Sequence, residues 1–181
     1  MKLELGAGHR PTRGYDHNDL YPFDHIEHVG NPWMLDFPDN SLDEVLALGF
    51  MDHLTFDQAR DTMRNVARML KPVEGNRPGG IFLFDVPDYP TWASYYLAHL
   101  ADTDYTPPIP LADVRKTLFG WQRWPGDEHN YGWDRDLLSA TLLETGFAAV
   151  TYSLEPFLNR GLYRARFFRP ADAHLYACAV K

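Results

Sequence analysis

Hydrophobic and polar positions change period along this chain in an ordered way. Lys2–Leu5 is a short apolar run that predicts a first strand, and residues 14–20 predict a second after a loop holding Pro11 and Gly14. No helix fits between them. Residues 25–29 predict a short third strand, and 31–40 read as irregular because Pro32 and Pro38 interrupt any repeat. Residues 43–49 are rich in Val, Leu and Ala on both faces, as a central parallel strand requires. Thr55 then opens the clearest helix: its hydroxyl can cap the start, Gln58 completes a capping box, and Phe56, Ala59, Met63, Val66, Ala67 and Leu70 follow at helical spacing. Lys71-Pro72 ends that helix, and after Gly79-Gly80 residues 81–86 predict another apolar strand. Strand, helix, strand in this order is the unit of a parallel sheet.

Between residues 87 and 133 prolines and aromatics break the period, with helices expected at 92–100 and 111–119. This stretch reads as a cap-like insertion within a single domain spanning residues 1–181. Asp134 can cap a helix through about Thr145 that Gly146 closes, and residues 149–154 and His174–Val180 predict two final strands.

Composition narrows the functional classes. The chain has 181 residues, enough for one domain with a sizeable core. Its net charge of −8, with Lys and Arg scattered, argues against a surface that tracks nucleic-acid phosphates. No apolar run is long enough for a membrane span, no secretory signal is visible, and the single Cys178 cannot form an internal disulfide. These features imply a cytoplasmic protein that meets neither membrane nor nucleic acid. Aromatic residues suit a core and a carbohydrate or apolar ligand pocket equally well. Monomer and homodimer both stay open.

The richest chemistry lies in the first nineteen residues. An apolar strand ends in Glu4-Leu5-Gly6-Ala7-Gly8, and a second run ends in Asp19. Glycines at 6 and 8 let a ligand approach the main chain, and a carboxylate at a strand end can accept two ribose hydroxyls. Two readings stand at this point: a nucleoside pocket, or a tight turn beside one surface acid.

Further motifs follow in order, and together they resemble the class I S-adenosylmethionine-dependent methyltransferases. They are the glycine motif at 4–8, the second strand at 14–20, Phe37-Pro38-Asp39-Asn40-Ser41-Leu42-Asp43-Glu44-Val45, Met51-Asp52-His53-Leu54, Leu70-Lys71-Pro72 with Gly79-Gly80, and Leu142-Leu143-Glu144-Thr145-Gly146-Phe147. Leu118-Phe119-Gly120-Trp121-Gln122 and His129-Asn130-Tyr131-Gly132-Trp133 resemble a stretch found in a small subfamily encoded among sugar and surface-polysaccharide genes. The resemblance implies an α/β, Rossmann-like fold with a mostly parallel sheet ordered 3-2-1-4-5-7-6 and an antiparallel last strand. It implies S-adenosylmethionine as cofactor, S-adenosylhomocysteine as product, and a small-molecule or glycan hydroxyl or amine as acceptor. Residue by residue, Glu4, Gly6, Ala7 and Gly8 would form the turn facing the methionine part, and Asp19 with Leu20 would meet the ribose. Asn31, Trp33 and Met34 would flank the adenine, and Gly49 and Phe50 would line the floor near the sulfonium.

Three departures from the family pattern stand out. The chain begins at its first strand, without the cover helix that usually precedes it; the loop at 8–14 is too short for the usual helix after the glycine motif; and residues 73–78 split the Lys-Pro-Gly-Gly segment, as a longer surface turn would. The candidate bases are His53 and Asp52 after the fourth strand, Asp85 and Asp88 after the fifth, and His129 in the cap. Each also has a structural reading: helix capping for His53, turn formation for the aspartates, and a cap hydrogen bond for His129. His, Asp and Glu spacing offers no compact metal set, so no metal is expected. His17, His25 and His28 read as solvated surface, and Cys178 as a buried inert thiol. Arg160, Arg164, Arg166 and Arg169 suit either an anionic acceptor or a solvated hairpin. The alternative function is a non-catalytic nucleoside binder or partner scaffold. A nicotinamide dehydrogenase is disfavoured because no third glycine follows at the needed spacing.

Overall fold

The computed structural model describes residues 1–102, 104–106, 108–162 and 173–181. Seven strands, β1 (Lys2–Leu5), β2 (Asp16–Asp19), β3 (His28–Val29), β4 (Glu44–Leu48), β5 (Ile81–Pro87), β6 (Ala149–Tyr152) and β7 (His174–Val180), form one sheet in the order β3-β2-β1-β4-β5-β7-β6. The first five pair in parallel, while β7 runs antiparallel to both β5 and β6. This is the sheet order and the antiparallel final strand that the resemblance implies.

Period-two alternation sends side chains to both sheet faces. Leu3, Leu5, Val45, Ala47, Phe82, Phe84, Leu175, Ala177 and Ala179 meet α1 (Phe56–Met69) and α4 (Arg135–Glu144) in the larger core. On the other face Leu46, Leu83 and Tyr176 form a smaller cluster with Tyr15, Phe157 and Leu162. Phe157 comes from α5 (Glu155–Leu158), a short helix that the sequence pattern does not reveal because one turn is too brief to show a period.

Local signals explain the helix starts. Thr55 accepts from the Gln58 amide and Gln58 reaches back to the Thr55 amide, the expected capping box. Asp134 accepts from the Leu137 amide at the start of α4. The helix α2 (Tyr89–Ala101) begins three residues before the expected position, because Pro90 falls in its first turn, where a missing N–H costs nothing. The helix α3 (Leu111–Phe119) packs on α2 through Trp92, Val114 and Leu118. Strands β2 and β3 are shorter than the 14–20 and 25–29 that the sequence predicts.

Residues 6–15 between β1 and β2 contain no helix, as their length requires. Beneath this loop the buried Glu4 carboxylate accepts from the Thr12 amide and hydroxyl at 2.6 and 2.7 Å. His17 corrects the expectation of solvated surface: it is buried, with Nε2 2.9 Å from the Thr12 carbonyl and Nδ1 3.1 Å from Glu27. The segment at 73–78 folds into a tight exposed turn in which Glu74 and Arg77 exchange backbone hydrogen bonds.

Candidate active site

Parallel pairing brings the carboxyl ends of β1, β2, β4 and β5 to one edge, so the glycine turn, Asp19, Gly49-Phe50 and Asp88 share that edge. Gly6 and Gly8 both hold positive φ, at 62° and 57°. A Cβ at Gly6 would stand 2.2 Å from the Phe50 ring, so this position is closed to any side chain. Nothing lies within 4 Å of the same point at Gly8, which faces open space.

Many polar groups of this turn are already engaged. The Ala7 amide donates to the Asn18 carbonyl at 3.1 Å, and the Gly8 amide to Asp19 Oδ2 at 2.9 Å. Asp19 Oδ1 accepts from the Tyr21 amide at 2.9 Å. Each carboxylate oxygen accepts more than one hydrogen bond, so Asp19 retains room for two hydroxyl donors. Glu4 is turned to Thr12 beneath the loop. Leu20 is exposed beside Asp19. Asn31 precedes a single 3-10 turn, Pro32–Met34; there Trp33 packs on the larger core, Met34 is exposed, and the Asn31 amide approaches the Met34 sulfur.

The end of β4 is built differently. After Phe50 the chain makes a second 3-10 turn, Met51–His53, which carries Asp52 and His53. The loop after α3 returns to meet it. Gly120, at φ 82°, pairs with Glu128, and a Cβ there would lie 2.3 Å from the Asp127 carbonyl. Arg123 holds Asp127 through two parallel hydrogen bonds, Nε to Oδ2 at 2.9 Å and Nη2 to Oδ1 at 3.0 Å. Burial pushes the Asp127 carboxyl up, but these hydrogen bonds prevail and keep it below its ordinary value. Asn130 then clasps the turn: its amide donates to the Asp52 carbonyl at 2.9 Å and its side chain to the His53 carbonyl at 2.7 Å.

This clasp brings Asp52, His53 and His129 together, with one ligand-capable atom from each within 4.8 Å of the others. His129 Nε2 lies 3.2 Å from Asp52 Oδ2, and the two imidazoles sit edge to face at 5.0 Å. Asp52 is 2% exposed, yet neither carboxylate oxygen accepts a hydrogen bond of good geometry among the described residues. His129 makes the cap contact, its Nδ1 2.6 Å from the Thr117 carbonyl, and it reaches Asp52 as well. Residue spacing could not reveal this set, because His129 comes from a loop far along the chain.

The other candidates lie elsewhere. Asp85 Oδ1 accepts from the Gly49 amide at 2.8 Å, and Oδ2 is 3.5 Å from His174 Nδ1, so Asp85 braces the end of β4. Asp88 precedes α2 at its N-cap position without a side-chain bond to a helix amide, accepts from the Thr91 hydroxyl, and lines a cavity of about 240 Å³ with Arg135, Tyr152 and His174. It does not join the Asp52 cluster. Arg160 pairs with the buried Glu44 at 2.9 Å, while Arg164, Arg166 and Arg169 lie outside the described residues. Cys178 is half-buried, and burial raises its thiol above the ordinary value.

Sequence comparison matches neither a protein-family model nor a curated relative. Solved structures do match. A methyltransferase from Mesorhizobium loti that depends on S-adenosylmethionine aligns with 99% of this chain and 90% of its own, at 20% identity and a TM-score of 0.56. Phosphoethanolamine N-methyltransferase 2 of Haemonchus contortus, solved with phosphomonomethylethanolamine and S-adenosylhomocysteine, aligns at 14% identity and 0.56. The CMeT domain of citrinin polyketide synthase aligns at 16% and 0.55. The chain spans 48% and 45% of the last two, about half their length. No helix among the described residues is long and apolar enough to cross a membrane. Strand order, the antiparallel β7 and these likenesses agree that the chain has the fold of the class I S-adenosylmethionine-dependent methyltransferases.

Proposed function

We propose that this protein transfers a methyl group from S-adenosylmethionine to a hydroxyl or amine of a small molecule or glycan. One observation carries the reading: the sheet edge sets a glycine turn with an acid at the next strand end beside a buried carboxylate and two imidazoles, and the Phe50–Gly6 contact joins the two parts. Gly6, Ala7, Gly8, Asp19 and Leu20 would hold the methionine and ribose, Asn31, Trp33 and Met34 the adenine, and Gly49 and Phe50 the region of the sulfonium. The open space at Gly8 and the remaining acceptor capacity of Asp19 fit such a ligand.

When bound, the cofactor supplies an electrophilic methyl on a positively charged sulfur. The chain's own work is to align the acceptor and remove its proton. His53, backed by the Asp52 and His129 cluster, would take the acceptor's proton as the acceptor atom bonds the methyl and the carbon–sulfur electrons return to sulfur. Asp88, in the neighbouring cavity, is assigned to acceptor positioning.

Calorimetry tests the binding half. S-adenosylmethionine and S-adenosylhomocysteine should bind, and Asp19→Ala should weaken both at least about tenfold, as lost hydrogen bonds to a charged group predict. A folded protein that binds neither at about 1 mM overturns the reading. Once an acceptor is found by screening, His53→Ala should lower kcat at least about 100-fold while leaving cofactor affinity within about twofold.

A further inference from the structure

We propose that Asp52, His53 and His129 form a binding site for a first-row divalent metal ion of the zinc class. The argument starts from hydrogen-bond direction. His129 Nδ1 lies 2.6 Å from the Thr117 carbonyl, and His53 Nδ1 lies 3.0 Å from the Glu128 carbonyl. A carbonyl only accepts, so both Nδ1 atoms carry hydrogen, and each neutral ring keeps its lone pair on Nε2. Metal-binding histidines show this same arrangement: the second ring nitrogen donates to a fixed acceptor, which sets both tautomer and orientation.

The second observation is the carboxylate. Asp52 is 2% exposed and, among the described residues, neither oxygen accepts a hydrogen bond, although its backbone carbonyl is held by Asn130 and Tyr131. Oδ2 faces His129 Nε2 at 3.2 Å, so with a neutral ring two acceptors meet. A proton on Nε2 would satisfy Oδ2 alone. A cation would satisfy both, and would engage His53 too, since one atom from each of the three residues lies within 4.8 Å of the others. Zinc ligand bonds of about 2.0–2.2 Å ask the three side chains to close by roughly an ångström, which χ rotation in a solvent-bordering turn allows. Two imidazoles and a carboxylate with an open fourth position suit Zn²⁺, Co²⁺, Mn²⁺ or Fe²⁺ rather than Ca²⁺ or Mg²⁺, which favour oxygen. The nearby Asp127 does not compete, because Arg123 engages both its oxygens.

The site itself is independent of the methyl-transfer reading; its task rests on that reading. An acceptor hydroxyl taking the open position would ionise more easily, its proton passing to water, and the resulting oxygen would attack the methyl as the carbon–sulfur bond gives its electrons to sulfur. His53 would then act as a ligand rather than as a free base.

The test uses the whole chain, tag-free and stripped of metal by a chelator. Calorimetric titration with ZnCl₂ should give one site per chain, and CoCl₂ should produce visible absorption bands of a low-coordinate ion. Asp52→Asn and His53→Asn should each lower Zn²⁺ affinity more than about 100-fold, exceeding the effect of losing an outer-shell partner. His99→Asn, outside the cluster, should leave it unchanged. His53 is half-exposed at the turn, so its variant remains informative if Asp52→Asn fails to fold. A folded wild-type chain that takes up no Zn²⁺ at about 1 mM overturns the proposal. So does a His53→Asn variant that binds like the wild type. Measuring S-adenosylmethionine binding on the same metal-free samples separates failure of this site from failure of the methyl-transfer reading.

Discussion

The two ends of the sheet edge handle buried charge in opposite ways. At the β1–β2 end Glu4 is closed over Thr12 by two hydrogen bonds and Asp19 accepts from two backbone amides; at the opposite, amino end of β4 Glu44 is likewise held by Tyr15, Arg160 and Lys2. At the β4 end Asp52 is equally buried, but its oxygens accept no hydrogen bond among the described residues. Buried polar groups are nearly always satisfied, and leaving one unsatisfied costs about 1–3 kcal/mol. The first end is therefore a braced scaffold, and the second leaves its carboxylate oxygens without a hydrogen-bond donor among the described residues.

Substitutions can break this contrast, and the largest effect belongs to the contact that joins the ends. Gly6→Ala places a methyl group in a left-handed conformation and against the Phe50 ring, so urea unfolding should show a loss of about 3 kcal/mol. Phe50→Ala in that background should restore roughly half, the steric part. A cost below about 1 kcal/mol for Gly6→Ala would mean the ring yields freely and the ends are not coupled.

Next in size is Glu4→Ala, which leaves the buried Thr12 amide and hydroxyl without an acceptor and should cost about 2 kcal/mol by the same measurement. Asp52→Asn should move stability the other way, by about 1 kcal/mol, because it removes a buried charge whose oxygens accept no hydrogen bond among the described residues, and its new amide can donate to His129 Nε2. If both variants destabilise alike, the contrast fails.

The smallest expected effect is the pH dependence of the Glu44 pairing at the amino end of β4. Burial pushes the Glu44 carboxyl up, but hydrogen bonds from Tyr15 and Arg160 outweigh it and hold the group below its ordinary 4.5. The stability it contributes is thus present above pH 4.5 and declines as pH falls through the depressed folded value. Burial and the bond to Glu44 raise the Tyr15 phenol above its ordinary 10.0, so its share is complete below pH 10.0 and is lost in more alkaline solution. Thermal melts across pH should fall off on both sides, and Glu44→Gln should flatten the acid limb. A variant whose acid limb matches the wild type would remove Glu44 from that role.

What the sequence made legible was local. The Thr55–Gln58 box, the Asp134 cap and the apolar run of His174–Val180 each need only a few adjacent residues, and each appears where the pattern places it. The start of α2 is not legible in the pattern because Pro90 marks a turn and a first helical position equally well. The burial of His17 is not legible because its partners, Glu27 and the Thr12 carbonyl, come from loops whose return is invisible in residue spacing. The Asp52 cluster was hidden for the same reason. The residues were recognisable as candidates one by one, but nothing local joins His129 to Asp52.

The Asn130 clasp has a kinetic consequence. Its side-chain bond to the His53 carbonyl closes 77 residues of chain, an ordering step of about 4 kcal/mol in loop entropy that the sheet must offset before the clasp forms. A nascent chain that has released only its first hundred residues holds the glycine turn and β4 but lacks His129. The Asp52 cluster thus matures later than the glycine turn, only once residues 129 and 130 have been released, and the clasp can open and reclose while the strands beneath it stay paired.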